Sequence, residues 1–163
     1  MGKTATETAE SQIEANTETE LREFDLGSLD TVAASDEGAE LQLVHFITGK
    51  KLPVYITLLG KHSTVFREIM ADRVNQRIAK EAVAAQRGKE VDRPTAEEAE
   101  ERAVELLAAC TTGWRTADKP VVMLKGEELK FNGENAKKLY REMLWVREQV
   151  DKFIGDLENF IKG

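Results

Sequence analysis

The spacing of apolar residues changes from two to about 3.6 near Gly60, and this change limits the folds open to the chain. Residues 40–46 alternate polar and apolar side chains, Gly49 lies in a following turn, and residues 52–59 form a second strand-like run. Two such runs joined by a glycine-containing turn are typical of a β-hairpin. Residues 39–60 are therefore predicted to form a hairpin that packs on the helices after it, because a lone hairpin is marginal in water.

Two helices are predicted in residues 63–111. The first covers residues 64–86 and begins after Ser63, a good N-cap residue. Its apolar side chains recur at helical spacing and are Val65, Phe66, Ile69, Met70, Val74, Ile78 and Val83. The second covers residues 96–111 after a capping box that Thr95 opens.

The last third of the chain predicts a second, shorter hairpin and two more helices. Residues 121–131 contain two strand-like runs around a turn, and Thr111 to Arg115 only interrupts the helical pattern. Residues 133–161 are expected to form helices over 133–144, with Asn132 as the N-cap, and over 145–161. The predicted fold class is α+β and mostly α, with an N-terminal β-hairpin on a bundle of about four helices.

The acidic residues are concentrated at the N-terminus. Residues 1–40 contain eleven acids and two bases, a net charge of −9, whereas the other 123 residues carry +2 of the total of −7. Residues 1–35 are predicted to be an acidic flexible arm, and residues 36–163 a single globular domain. A near-neutral body argues against nucleic acid or an anionic membrane surface as the partner. Without a signal peptide or a long apolar run, the chain is expected to act in a reducing cytoplasm.

The sequence contains none of the usual sets of catalytic or metal-binding residues. Cys110 is the only cysteine and stands in an apolar run, which favours a buried small side chain. His45 and His62 have no third ligand or base at a useful spacing. The segment Gly60 to Ser63 lacks the upstream glycine of a phosphate-binding loop. We therefore expect no catalytic residue, cofactor or metal, and a protein that binds other proteins.

Three segments together resemble one protein family. The first is Ile47–Arg67, with its Thr-Gly turn and a strand ending at Gly60. The second is Leu107–Trp114, which ends in Thr-Thr-Gly-Trp. The third is Leu129–Ile154, which contains Phe-Asn-Gly-Glu-Asn-Ala and Trp-Val-Arg-Glu-Gln-Val-Asp-Lys-Phe. In this order they are similar to the tail assembly chaperones of long-tailed bacteriophages, over about 70% of the chain. His62 and Leu144 depart from the pattern, which commonly has an acid and a proline there.

The resemblance implies a protein that binds the phage tape-measure protein, keeps it soluble and helps to recruit tail-tube subunits. Such a chaperone acts in the host cytoplasm and leaves before the virion is complete. A structural accessory protein of the head or tail, retained in the virion, is the alternative, and a small adaptor unrelated to phage is a third class. Self-association is left open.

The aromatic residues of the last third are the candidates for partner binding. They are Trp114, Phe131, Tyr140, Trp145, Phe153 and Phe160. One interpretation places them in the core between the last helices, and the other places one or two of them in an exposed groove. Trp145, at a predicted helix start, is the preferred groove residue, and Trp114 is the second.

Overall fold

A computed structural model describes residues 23–161 and divides the chain into two compact units, Met1–Asp30 and Thr31–Gly163. Most of the predicted acidic arm, residues 1–22, lies outside the described residues. Within the described part of the first unit, Leu26–Leu29 forms a 3-10 turn. The side chain of Asp25 caps this turn by accepting a 2.8 Å hydrogen bond from Gly27 N–H.

The second unit begins earlier than the predicted boundary at residue 36. Helix α1 spans Thr31–Glu37, and its Ser35 is fully buried. The carbonyl of Ser35 accepts a 3.1 Å hydrogen bond from Gly60 N–H. The Asp36 carboxylate accepts a 2.6 Å hydrogen bond from Thr64 N–H. The short segment 31–37 shows no helical spacing of large apolar residues, and its helix depends on contacts with residues about 25 to 28 positions away.

The first hairpin is present and belongs to a three-stranded antiparallel sheet. Strands β1 (Ala39–Val44) and β2 (Lys51–Leu58) form the predicted hairpin, and β3 (Thr111–Thr116) pairs with the other edge of β2. The break in the helical pattern at Thr111 to Arg115 was predicted, but the strand was not. This short segment carries a strand because β2 offers it a partner, with Ile56 opposite Trp114. Strands β4 (Val121–Leu124) and β5 (Glu127–Lys130) form the predicted second hairpin.

The four predicted helices are all present, and the N-caps predicted for three of them are confirmed. They are α2 (Thr64–Gln86), α3 (Ala96–Ala109), α4 (Gly133–Glu142) and α5 (Leu144–Gly155). Ser63, Thr95 and Asn132 each accept a hydrogen bond from the backbone N–H three residues later. The fold is therefore α+β and mostly α, as predicted.

The last helix is shorter than predicted. It ends at Gly155 rather than at residue 161, and a 3-10 turn follows over Leu157–Asn159. Asp156 causes the change, because its carboxylate accepts a hydrogen bond from Glu158 N–H and begins a new turn. Phe160 then folds back against Phe153, with ring centroids 5.4 Å apart and nearly perpendicular planes.

The core lies between the inner face of the three-stranded sheet and helices α3, α4 and α5. Ile56 and Leu58 of the sheet are fully buried, and so are Tyr140 of α4 and Val150 of α5. The buried hydroxyl of Tyr140 lies 2.7 Å from that of Thr111, which also donates to the carbonyl of Leu107. A hydroxyl at the centre of the core therefore has its hydrogen bond.

We expect Gly60→Ala to destabilise the protein by about 1–3 kcal/mol, because a methyl group at this position overpacks a closed site. Its Cβ would stand 2.9 Å from Ser35 Cβ and 3.2 Å from Phe160 Cδ2, and it would also collide with the Ser35 hydroxyl. Gly133→Ala is the matched control, because nothing lies within 4 Å of an added Cβ there. Thermal unfolding should show a lower Tm for Gly60→Ala alone. Equal Tm values for the two variants would contradict the packing of α1 on Gly60.

Candidate functional site

Helix α2 carries an apolar stripe that the described residues do not cover. Of its apolar residues at helical spacing, only Val65 and Phe66, in the first turn, pack against the core. Met70, Val74 and Ile78 follow at intervals of four and share one face. Val74 is 55% exposed and Ile78 57% exposed. These three residues are called the α2 stripe.

The exposure extends over the distal part of the helix and into the next one. All residues from 74 to 83 are exposed, as are nine of the ten from 91 to 100. An isolated helix is marginal in water, and most helical stability in proteins comes from the packing of an apolar face. The end of α2 lacks that packing. Its exposed apolar face is the kind of surface that marks a site of association with another molecule.

A groove runs beside the stripe, between α2, the connection that follows it, and the start of α3. It comprises two cavities with volumes of about 540 and 960 Å³, which share the residues Lys80, Val91, Asp92, Arg93 and Glu98 and are therefore continuous. Met70 and Val74 form its apolar wall on α2, and Val91 and Pro94 contribute apolar surface on the opposite side. This combined feature is called the α2–α3 groove.

The groove is basic in an acidic protein. Seven of its lining residues are Lys or Arg and four are Glu or Asp, a net charge of +3 against −7 for the chain. Arg73 is engaged already, because it donates a 2.7 Å hydrogen bond to the carbonyl of Arg102 and lies 4.0 Å from Glu105. Arg77 pairs with Glu81 one turn along the helix.

Three of the six candidate aromatic residues are buried. Trp114 donates a 3.0 Å hydrogen bond to the carbonyl of Leu129, and its ring meets that of Phe131 edge-on at 5.2 Å. Tyr140 is fully buried, and Phe160 is 4% exposed. Of the two interpretations of these residues, the structure supports the core for Trp114, Tyr140 and Phe160, because a partner cannot reach them in the folded protein.

The other three candidates, Phe131, Trp145 and Phe153, are partly buried against the same core. Trp145 also borders an exposed patch, because its ring lies 5.8 Å from that of Phe46, which is 64% exposed. Ile47 and Leu144 are exposed nearby in the chain. We call Phe46, Ile47, Leu144 and Trp145 the turn patch. Of the six candidates, Trp145 therefore retains the clearest route to a partner.

The turn patch is held in place by an unusual side-chain contact. Gln149 of α5 accepts a 3.0 Å hydrogen bond from Val44 N–H and donates a 2.7 Å hydrogen bond to Val44 C=O. One amide side chain therefore occupies both backbone groups at the end of edge strand β1, as a neighbouring strand would. His45 then organises the turn, because its Nδ1 accepts from Ile47 N–H and Thr48 N–H.

The other side chains that could take part in catalysis or metal binding have structural contacts instead. His62 shares a 2.7 Å hydrogen bond with Thr31. Cys110 is fully buried, and burial raises the pKa of its thiol to about 11. Burial also raises the pKa of the Tyr140 phenol above its ordinary range. Within residues 23–161, no three His, Cys, Asp or Glu side chains are grouped so that they could hold a metal ion.

Two features of the sequence point toward the α2–α3 groove. One is the composition of residues 87–95, which are charged and contain Pro94. The other is the drift of apolar residues around α2, since Val83 lies on a different face from the stripe. Both were available from the sequence, but neither showed which part of α2 the core would cover.

No helix among the described residues combines the length and the apolar character that a membrane crossing requires. No protein-family model, curated protein or solved structure matches the chain. The surfaces described above therefore carry the functional argument.

We expect Cys110 to resist thiol reagents in the native protein. At pH 8 a thiol with a pKa of about 11 is about a hundredfold less ionised than an unperturbed one, and the thiolate is the reactive form. The folded state holds this proton more tightly than the unfolded state does. The stability contribution of the thiol is thus complete below its unfolded pKa and declines as pH rises toward 11.

A colorimetric disulfide reagent can test this expectation at pH 8, with and without denaturant. The native chain should react at least about a hundredfold more slowly than the unfolded chain. Cys110→Ala provides the blank. Fast labelling of the native chain would mean that this part of the core opens readily.

Proposed function

We propose that this protein is a tail assembly chaperone of a long-tailed bacteriophage. It binds the tape-measure protein, keeps it soluble and helps to recruit tail-tube subunits. It acts in the host cytoplasm and leaves before the virion is complete. The proposal combines the sequence resemblance with one structural observation, the exposed α2 stripe beside an open groove.

The α2 stripe supports a holding function because its geometry suits a helical client. A tape-measure protein is a long helical chain with apolar stripes that must stay covered before assembly. Helices recognise one another through apolar residues spaced three or four apart. Met70, Val74 and Ile78 have this spacing and are all exposed. Because these side chains are about half exposed, covering one contributes about 0.8–1.5 kcal/mol, half of the gain for a fully exposed one.

The turn patch supports a second contact on the same protein. Phe46 lies in the turn after β1 and Trp145 lies in α5, whereas the α2 stripe lies on α2. The two surfaces therefore share no residue. Recruitment of tail-tube subunits needs a surface that remains free while the client is held. The turn patch, with its exposed Phe46 and Ile47, is our assignment for that contact.

The proposal is tested by co-expression with the candidate tape-measure protein. The soluble fraction of the tape-measure protein should rise with the wild-type chain and fall again with the double variant Val74→Gln, Ile78→Gln. Losing two apolar contacts of about 1 kcal/mol each should weaken binding about thirtyfold. Gln is a better helix former than Val or Ile, so the variant should keep its fold and its Tm.

Met123→Gln is the control, because Met123 is an equally exposed apolar residue on β4, away from the stripe. It should protect the client as well as the wild-type chain does. A tape-measure protein that is equally insoluble with and without the wild-type chain would refute the chaperone function. Full protection by the double variant would instead show that the client binds another surface.

A further inference from the structure

We propose that the α2–α3 groove selects one kind of client segment: an amphipathic helix whose apolar stripe is flanked by acidic residues. This inference rests on the proposed function and specifies the segment that the chaperone holds. It is carried by the length of the groove, its apolar walls and the sign of its charge.

The dimensions of the groove suit a helix. From Met70 to Gln86, α2 extends about 24 Å, at 1.5 Å for each residue. This length matches four to five turns of a partner helix lying along α2. The start of α3 and the connection before it form the opposite wall, with Pro94 and Glu98 facing the same space. A helix in this position would pack against α2 as helices pack in a bundle.

The apolar walls determine where the client's own stripe must lie. Met70 and Val74 line one side of the groove, and Val91 and Pro94 line the other. Val91 is already partly buried, whereas Met70 and Val74 are exposed and gain the most from being covered. A partner that brought only charged side chains would leave these apolar surfaces in contact with water, so the client needs an apolar face.

The unpaired bases determine what flanks that face. Among the described residues, no ion pair involves Lys80, Arg87, Lys89 or Arg93, and all four are exposed and line the groove. Carboxylates on both sides of the client's apolar stripe would form ion pairs with these four bases. Each exposed pair contributes only about 0.2–1 kcal/mol, so charge selects among clients while the apolar contact provides the affinity.

A polyanion such as nucleic acid fits the groove less well than an acidic helix does. Glu81, Glu90, Asp92 and Glu98 lie among the bases and would repel a continuous row of phosphates. The apolar walls would also find no counterpart on a phosphate backbone. An acid-flanked helix fits both the mixed charges and the apolar walls of the groove, because its acidic side chains are separated along the helix and its stripe is apolar.

Two synthetic helical peptides of about 20 residues test the inference with the full chain. Both carry the same leucine stripe, and one has Glu and the other Lys on its flanks. Fluorescence anisotropy should show the Glu peptide binding at least about tenfold more tightly. The preference should shrink between about 0.05 M and about 0.5 M salt, because exposed charges are screened.

Charge-reversal variants locate the effect. Lys80→Glu with Arg93→Glu should abolish the preference for the Glu peptide, since both residues line both parts of the groove. Lys130→Glu with Lys152→Glu makes the same change in net charge at exposed positions outside the groove and should retain the preference. Far-ultraviolet circular dichroism checks that each variant is folded.

Four results would overturn the inference. Equal binding of the two peptides would remove charge selection, and a preference that survives Lys80→Glu with Arg93→Glu would place it elsewhere. Tighter binding of a single-stranded oligonucleotide than of the Glu peptide, or a stable dimer that excludes the peptide, would assign the groove to another occupant. The solubility of the tape-measure protein in co-expression is measured separately. Failure of this inference can therefore be distinguished from failure of the chaperone function.

Discussion

The turn from α3 into β3 is the junction on which the second unit depends. Cys110 and Thr111 form this turn, and three separate elements bond to it. The carbonyl of Cys110 accepts a 2.8 Å hydrogen bond from Leu59 N–H at the end of β2. The hydroxyl of Thr111 bridges the carbonyl of Leu107 and the phenol of Tyr140 on α4. Because these groups are buried, every one of these bonds must form for the fold to avoid an unsatisfied polar atom.

This junction also explains why one end of α2 is packed and the other is not. The core around Thr111 is formed by side chains of the sheet and of α3, α4 and α5. Only the first turn of α2 packs against it. Beyond Met70 the helix has exposed side chains on all faces, yet it keeps regular geometry as far as Gln86. A stretch of this kind adds little to the stability of the fold. Its apolar and basic side chains are best understood through contact with another molecule.

The aromatic residues show how composition can indicate importance without indicating role. Sparse aromatics marked the last third of the chain as a place of concentrated packing, and Trp114, Tyr140 and Phe160 are indeed buried there. The surfaces proposed for binding instead involve aliphatic residues of α2, together with Phe46 beside Trp145. Aromatic residues serve cores and interfaces equally well, because both require large area and defined geometry. Only the positions of neighbouring elements separate the two uses.

The sequence by itself determined the local elements, because their signals are local. Ser63, Thr95 and Asn132 cap helices where predicted, and Gly49 stands in the first hairpin turn with a positive φ of 70°. The tertiary structure alone decided that Thr111–Thr116 is a strand, since that depends on pairing with β2. It also decided which apolar residues of α2 are covered. Periodicity fixes which side chains share a face of a helix, but whether that face meets a core or the solvent depends on contacts between residues far apart in the chain.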